Sequence, residues 1–139
     1  MRWTFMADPD SYGWAELVRD GRTVWDGIAN AAAQNHLRSA RPGDEALIYE
    51  AAPAKALRGI ARVASEPYPD PSAPGRVVVD VEPAAALPRP LPLAELRQDD
   101  VLAGMKFVRM PRVAVQPVSD PEWERVLALS GTTGARQAS

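Results

Sequence analysis

The segment from Val24 to Leu37 combines an aromatic side chain, an acid, a glycine and two amides around the start of an alanine-rich helix. Trp25, Asp26 and Gly27 are typical of a turn, because glycine adopts positive φ and an aspartate side chain bonds to the backbone that follows it. Asn30 falls in the first turn of the predicted helix. An indole beside an amide that both donates and accepts hydrogen bonds is suited to binding a planar heterocycle. The alternative is structural: a buried Trp that closes the core and an Asn that caps the helix.

A second candidate feature is a group of three cations, Lys106, Arg109 and Arg112, spaced three residues apart. If they share one face of the protein, they hold about two or three phosphates, which is enough for weak, salt-sensitive positioning of a nucleic acid. The alternative is an ordinary solvated surface.

Chemistry of other kinds is poorly represented in the sequence. The phosphate-binding and nucleophile motifs GxxxxGK, GxGxxG and GxSxG do not occur. With no cysteine and one histidine, His36, the chain lacks a thiol nucleophile, cysteine-ligated zinc and a multi-histidine metal site. The paired acids adjoin prolines or start helices, where acids are common for capping reasons. We therefore expect no enzymatic activity, no metal and no cofactor.

The length and charge of the chain limit its class. The 139 residues predict one domain over residues 1–131, followed by a disordered tail over residues 132–139. With 16 basic and 18 acidic residues and a net charge of −2, strong non-specific attraction to phosphate is not expected. No apolar run predicts a signal peptide or a membrane span, so we expect a soluble, cytoplasmic protein with no membrane partner. The sequence does not specify an oligomeric state.

The elements that must position these residues follow from hydrophobic periodicity and turn residues. Strands are predicted at residues 2–7, 45–51, 56–65, 77–81 and 113–118, and helices at residues 11–21, 30–41, 93–97 and 119–131. In the first helix, capped by Ser11, we expect Trp14, Leu17 and Val18 to face inward. Four prolines predict a crossing outside the sheet over residues 82–92. Pro117 favours an edge strand or a bulge for the last strand.

The order of these elements is strand, helix, helix, several strands and helix. Strands and helices do not alternate, which argues against a doubly wound parallel sheet. A small, strongly bent sheet or open barrel with helices at its ends fits the order better.

Several segments follow one another in the order and spacing of the EVE domain: TVWDGIANAAAQNHL, ARPGDEALIYEA, GIARV, EPYPDP, VVVDV, PLPLAEL, LAGM and VAVQPVSDPEWERVLALSG. Over residues 3–131 the chain resembles that family, which is part of the PUA-like superfamily. The resemblance implies an α+β fold: a small open β-barrel with a mostly antiparallel, strongly bent sheet, flanked by helices. It also implies a reader of modified bases in DNA or RNA, or of a modified nucleoside, with the base held in an aromatic-lined pocket.

Carried over residue by residue, the resemblance implies five base-binding positions. Trp25 is one wall of the pocket and Tyr49 is the second wall. Asn30 and Asn35 read base edges or shape the pocket, and Gln116 makes a polar contact from the opposing strand. The cations Lys106, Arg109 and Arg112 remain the candidate phosphate contacts.

The chain departs from the family pattern at positions that supply charge or hydrogen bonds. Where the family usually has Lys-Ser-Glu-Pro, this chain has Met-Ala-Asp-Pro at residues 6–9. Ala29 and Gln34 replace two arginines, and Ala31 and Ala32 replace an aromatic residue and a glutamine. Glu50 and Ala51 replace a His-Ser pair. Losing several cations removes phosphate and base contacts. Two hypotheses therefore remain: a binding module with altered or weakened specificity, and a degenerate relative that serves as a structural or protein-interaction domain.

Overall fold

The computed structural model describes residues 1–132, in which seven strands form a curled, mixed half-barrel. The strands are β1 (Arg2–Ala7), β2 (Thr23–Trp25), β3 (Glu45–Glu50), β4 (Ala56–Val63), β5 (Tyr68–Pro69), β6 (Val77–Pro92) and β7 (Val115–Pro117). Their order is β2-β6-β4-β3-β1-β7, and β5 pairs with the start of β6. β1 and β3 run parallel, whereas the other pairs are antiparallel. The predicted fold class is confirmed.

The helices of the described residues flank this sheet. They are α1 (Trp14–Asp20), α2 (Ala31–Ser39), α3 (Leu93–Gln98), α4 (Lys106–Arg109) and α5 (Asp120–Ser130). Ser119 and Glu122 have the spacing of a capping box, and the structure confirms it for α5: the Ser119 hydroxyl accepts from the Glu122 N–H, and the Glu122 carboxylate accepts from the Ser119 N–H. Gly131 ends α5 in the left-handed conformation.

The core lies on both faces of the sheet, because successive side chains of a strand point to opposite sides. In β3, Ile48 belongs to a first cluster that also contains Phe5 and Trp25. Its neighbour Tyr49 belongs to a second cluster, with Trp123 and other residues of the helices that follow the sheet. The two clusters define two faces of the protein, which we call the Trp25 face and the Tyr49 face.

The first helix differs from its prediction. It begins at Trp14, with Gly13 rather than Ser11 as its N-cap residue. The Ser11 hydroxyl instead lies 3.5 Å from Oδ2 of Asp8. Trp14 and Leu17 are buried as expected, but Val18 is 52% exposed, so its inward assignment was wrong. The helix is only two turns long, and its buried stripe is too narrow to include a third side chain.

The predicted crossing at residues 82–92 was also wrong, because these residues continue β6 as far as Pro92. β6 pairs with β4 along this length, with register shifts between Leu57 and Gly59 and between Ile60 and Ala61. β2 covers the other edge of β6 only as far as Val81. Proline lacks the N–H that a sheet ladder needs, and the shifts and open edge are the places where it is tolerated.

The predicted disordered tail falls mostly outside the described residues. Its first residue, Thr132, is buried, and its N–H donates to the Leu127 carbonyl at 2.9 Å. Residues 133–139 lie outside the described part. Within residues 1–132, no helix combines the length and apolar composition that a membrane crossing requires.

Candidate base-binding site

A cavity of about 720 Å³ opens on the Trp25 face. Three segments line it: the end of β1 with the loop after it, β2 with the loop after it, and the residue before β7. The lining residues are Met6, Ala7, Asp8, Ser11 and Tyr12, all of residues 23–28, and Ala114. The volume lies within the range of about 300–1,000 Å³ that is typical of ligand sites.

Trp25 ends β2 and forms one wall of this cavity. Its indole stacks on the Phe5 ring, with 5.9 Å between ring centroids and 30° between the ring planes. Gly27 has φ of 77°, which turns the chain back toward the cavity at no steric cost. Trp25 is only 6% exposed, so it serves the core as well as the wall.

Tyr12 is the second aromatic residue of the lining, and the sequence reasoning missed it. Its hydroxyl donates to Oδ2 of Asp20 at 2.7 Å, which fixes the ring against α1. Burial, and then the hydrogen bond to Asp20, raise the pKa of Tyr12. The phenol is therefore neutral at physiological pH. The available signal was its place in a turn directly after the first strand.

The Gln34 side chain fixes the loop after β2, which lines the cavity. The sequence did not lead us to predict this role. The Gln34 amide Nε2 donates to the carbonyls of Ile28 at 2.9 Å and Val77 at 3.1 Å. Its Oε1 accepts from the Val77 N–H at 2.9 Å. These bonds tie the loop after β2 to the start of β6. The available sequence signal was a lone glutamine following the alanines of residues 31–33.

Two carboxylates, Asp8 and Asp26, give the cavity its charge. Arg22 directly precedes β2, but its guanidinium turns away from the cavity toward Asp80, at 2.9 Å, and Glu82, at 3.4 Å. Within residues 1–132, no lysine, arginine or histidine lines the cavity. The lining is therefore apolar, aromatic and acidic.

The ion pair of Arg22 belongs to a network that fixes β2 beside β6. The Tyr68 hydroxyl donates to Oδ1 of Asp80 at 2.7 Å. That bond, and then the bond from Arg22, lower the pKa of Asp80. The same bond to Asp80 raises the pKa of Tyr68 to about 12. Since β2 carries Trp25 and pairs with β6 through three residues only, the network supports the cavity wall.

The predicted edge readers do not line the cavity. Asn30 is the N-cap of α2, and its Oδ1 accepts from the Ala33 N–H at 3.0 Å. Asn35 is exposed and accepts from Arg38 at 3.3 Å. Gln116 is buried, and its Nε2 donates to the carbonyls of Met110 and Val113. These three amides serve the backbone or the surface in this structure.

Tyr49, the predicted second wall of the pocket, does not line the cavity. Tyr49 is 4% exposed and packs against Phe107, with 4.5 Å between ring centroids. Phe5 and Ile48 are paired in the parallel register of β1 and β3, and both face the Trp25 side. Tyr49, one residue further along β3, therefore faces the opposite side. The prediction that Trp25 and Tyr49 stand across one hollow was wrong about the geometry.

Glu50, which follows Tyr49, anchors α1 from the end of β3. It is buried, and its Oε2 accepts from the Trp14 N–H at 2.8 Å while its Oε1 pairs with Arg58 at 3.0 Å. A carboxylate at the N-terminus of a helix is favoured by the orphan N–H groups there. Glu50 is thus a structural contact, away from the cavity lining.

One of the three candidate phosphate contacts, Arg112, lies close to the cavity wall. Lys106, Arg109 and Arg112 are exposed, and within residues 1–132 no ion pair joins any of them to a carboxylate. Arg112 lies two residues before Ala114, so its Cα is within about 8 Å of that part of the wall. Burial, and then the charge of Lys106, lower the pKa of His36 on α2, which places Lys106 near that helix.

The model of the EVE domain matches residues 1–129, almost all of the described chain. The chain belongs to the EVE domain family. In this EVE domain, Met6, at which the resemblance implies a lysine, lies in the cavity wall. The departures at Ala29, Ala31 and Ala32 lie on the exposed surface around the start of α2.

Relatives of this EVE domain include a human protein. Human thymocyte nuclear protein 1 is 30% identical over 132 residues, which is 77% of this chain and 59% of that protein. The chain therefore spans less than two thirds of that relative. Rpa0253 from Rhodopseudomonas palustris, solved by NMR, is 32% identical with a TM-score of 0.90, covering 95% of this chain and 94% of that one. The crystal structure of human THYN1 protein in complex with DNA containing 5-methylcytosine is 27% identical with a TM-score of 0.79, covering 93% and 96%.

Proposed function

We propose that this domain binds a modified base of DNA in the cavity beside Trp25. The observation that carries the proposal is a cavity of about 720 Å³ walled by two aromatic side chains, Trp25 and Tyr12, with the unpaired cation Arg112 two residues from the wall residue Ala114. A base removed from its stack needs an aromatic surface to replace its neighbours and hydrogen-bonding groups along its edge. Ser11 and Thr23 supply hydroxyls, and the loops supply backbone groups.

The relatives favour DNA carrying a modified cytosine as the ligand. A protein of the same family and fold, human THYN1, has been solved with DNA that contains 5-methylcytosine. The cavity of this chain has methionine and alanine at positions 6 and 7 of the lining, where the family resemblance implies a lysine and a serine. The proposed ligand is accordingly a methylated base or one with a larger substituent.

Phosphates beside the base are assigned to Lys106, Arg109 and Arg112. Each of these side chains is exposed and without a carboxylate partner in residues 1–132, so it is available for an external anion. Three phosphate contacts predict that the logarithm of affinity falls with the logarithm of salt concentration with a slope of about −2.7.

We also propose that the site does not catalyse a reaction. Its ionisable side chains are Asp8, Asp26 and the neutral phenol of Tyr12. The Ser11 hydroxyl is oriented toward Asp8 at 3.5 Å, and no imidazole accompanies it in the lining. A serine nucleophile needs a base within hydrogen-bond reach to remove its proton, and an aspartate is too weak for that task near neutral pH.

The alternative is a domain that keeps the fold without binding nucleotides. It is favoured by the structural use of Asn30, Gln116 and Tyr49, and by the burial of Trp25 against Phe5. On this alternative, the cavity is a by-product of the shortened side chains that line it.

Fluorescence anisotropy with labelled DNA duplexes separates the two functions. One duplex carries a single 5-methylcytosine and its partner has the same sequence without the methyl group. Burying one methyl group at about 0.8 kcal/mol predicts about fourfold tighter binding of the methylated duplex. Equal binding of the two duplexes, or no binding at low salt, overturns the proposal and leaves the structural alternative.

A salt titration tests the phosphate assignment. Arg112→Ala is expected to change the slope from about −2.7 to about −1.8, because each phosphate contact contributes about 0.9. Arg97→Ala is the matched control, since Arg97 is an exposed cation on α3, near Tyr49 and away from the cavity. A slope that both variants change equally, or that neither changes, contradicts the assignment.

A further inference from the structure

We propose that the cavity selects its base by charge: it accepts a base with amino or N–H donors and a neutral or cationic substituent, and it rejects an anionic substituent. This inference rests on the proposed function and names the chemical class of its ligand. Two observations support it: the lining contains two carboxylates, and within residues 1–132 it contains no cationic side chain.

Asp26 is the more available of the two acids. It follows Trp25 at the rim of the cavity, and within residues 1–132 no hydrogen bond or ion pair holds its carboxylate. A carboxylate accepts up to about four hydrogen bonds and donates none. A ligand group that reaches Asp26 must therefore be a donor.

Asp8, in the loop after β1, is the second carboxylate of the lining. Its Oδ1 accepts from the Asp10 N–H at 3.0 Å, and its Oδ2 accepts from the Ser11 hydroxyl at 3.5 Å. These bonds use part of the hydrogen-bonding capacity of the Asp8 carboxylate and fix the orientation of that carboxylate. The remaining lone pairs of Asp8 add a second acceptor to the same opening.

Within residues 1–132, no positive charge in the lining balances these acids. Arg22, beside β2, is bound to Asp80 and Glu82, and Arg19 on α1 is bound to Asp20 at 2.8 Å. At position 6, the wall has the uncharged thioether of Met6. The unpaired cations Lys106, Arg109 and Arg112 lie outside the lining. Placing like charges against each other is strongly unfavourable, so an anionic substituent in this cavity is disfavoured.

The donor requirement also separates the bases. Cytosine and adenine present an exocyclic amino group, whereas thymine and uracil present carbonyl oxygens on the corresponding edge. Carbonyl oxygens against Asp26 leave two acceptors facing each other without a proton between them. Thymine and uracil therefore reach Asp26 only through N3–H, whereas cytosine and adenine reach it through the exocyclic amino group.

The test compares three duplexes of one sequence that carry 5-methylcytosine, 5-carboxylcytosine or 5-aminopropargylcytosine at one position, with binding of the full chain measured by anisotropy at fixed salt. We expect the carboxyl-bearing duplex to bind at least about tenfold more weakly than the methylated one, and the amino-bearing duplex to bind at least as tightly as the methylated one. Asp26→Asn is expected to weaken binding of the methylated duplex, because the amide is a poorer acceptor for an amino group, and to reduce the affinity ratio between the methylated and carboxyl-bearing duplexes several-fold.

Asp100→Asn is the control, because Asp100 is exposed, lies outside the cavity and changes the net charge equally. It is expected to leave the ratio of the affinities unchanged. If the three duplexes bind alike, or if both variants shift the ratio equally, the charge selection is wrong and the binding function stands. If no duplex binds, both the selection and the proposed function are wrong.

Discussion

Replacing Trp25 by leucine separates its two roles, in the core and in the cavity wall. The indole is 94% buried by its own fold and stacks on Phe5 at 5.9 Å, so a change to alanine removes much of the packing. Large aromatic-to-alanine changes cost about 3–5 kcal/mol, a large part of a typical stability of about 5–15 kcal/mol. Leucine keeps an apolar group of intermediate size against Phe5 and removes the flat π surface. The variant is therefore expected to fold with a lower melting temperature.

The expected loss of affinity follows from base stacking. Stacking on an aromatic side chain is worth about 1–3 kcal/mol per base, which corresponds to about 5-fold to 140-fold weaker binding. Trp123→Leu is the matched control. Trp123 is 2% exposed, and it lies in the core of the Tyr49 face. We expect it to lose comparable stability and no affinity.

The assay is anisotropy with a duplex carrying 5-methylcytosine, at a temperature at which both variants are folded by circular dichroism. The reasoning is refuted if Trp25→Leu binds within twofold of the unchanged protein, or if the two variants weaken binding equally. Either result assigns Trp25 to the core alone.

Two further predictions concern the scaffold. At Gly59, a Cβ atom would lie within 2.5 Å of three indole atoms of Trp14, and a rigid ring cannot yield, so Gly59→Ala is expected to lower the free energy of unfolding by about 1–3 kcal/mol in urea titrations; an unchanged midpoint would contradict the packing. The pKa of Asp80 is lowered by Tyr68 and then Arg22, so its stabilising contribution is present above the unfolded pKa of about 3.9 and is lost as pH falls through the folded value. Asp80→Asn is thus expected to unfold more easily at pH 7, with the difference from the unchanged protein shrinking below about pH 4; a difference that does not depend on pH would argue against the ion pair.

Local sequence signals predicted much of the fold. Ser119 and Glu122 formed the capping box that their spacing indicates, and Pro117 lies in β7, the edge strand, as its missing N–H requires. Gly59 lies at a register shift of β4, as is typical of a glycine inside a strand pattern. Each of these signals acts within a few residues along the chain.

The site was predicted less well, because its geometry depends on long-range pairing. Tyr49 and Trp25 are both aromatic residues at strand ends, but the parallel register of Phe5 with Ile48 decides which of them share a face. That register is fixed by strand order and is not readable from either strand alone. Tyr12 was missed for the same reason: the fold of the whole half-barrel brings its loop opposite β2.

The family resemblance predicted the architecture better than it predicted the contacts. Asn30 and Gln116 match family positions, yet in this structure both bond to backbone groups. The sequence is the same whether a side-chain amide hydrogen-bonds to a neighbouring backbone group or is available to bind a ligand. The distinction lies in the hydrogen-bond partners, which only coordinates provide.

The most direct test of the central claim is an NMR titration of ¹⁵N-labelled protein with the duplex carrying 5-methylcytosine. The account predicts the largest shifts for the indole N–H of Trp25 and the amides of Tyr12 and Gly27, with the indole of Trp123 and the amide of Tyr49 unchanged. Shifts confined to the Tyr49 face, or binding that leaves the Trp25 indole unchanged, would contradict the claim that the base enters this cavity.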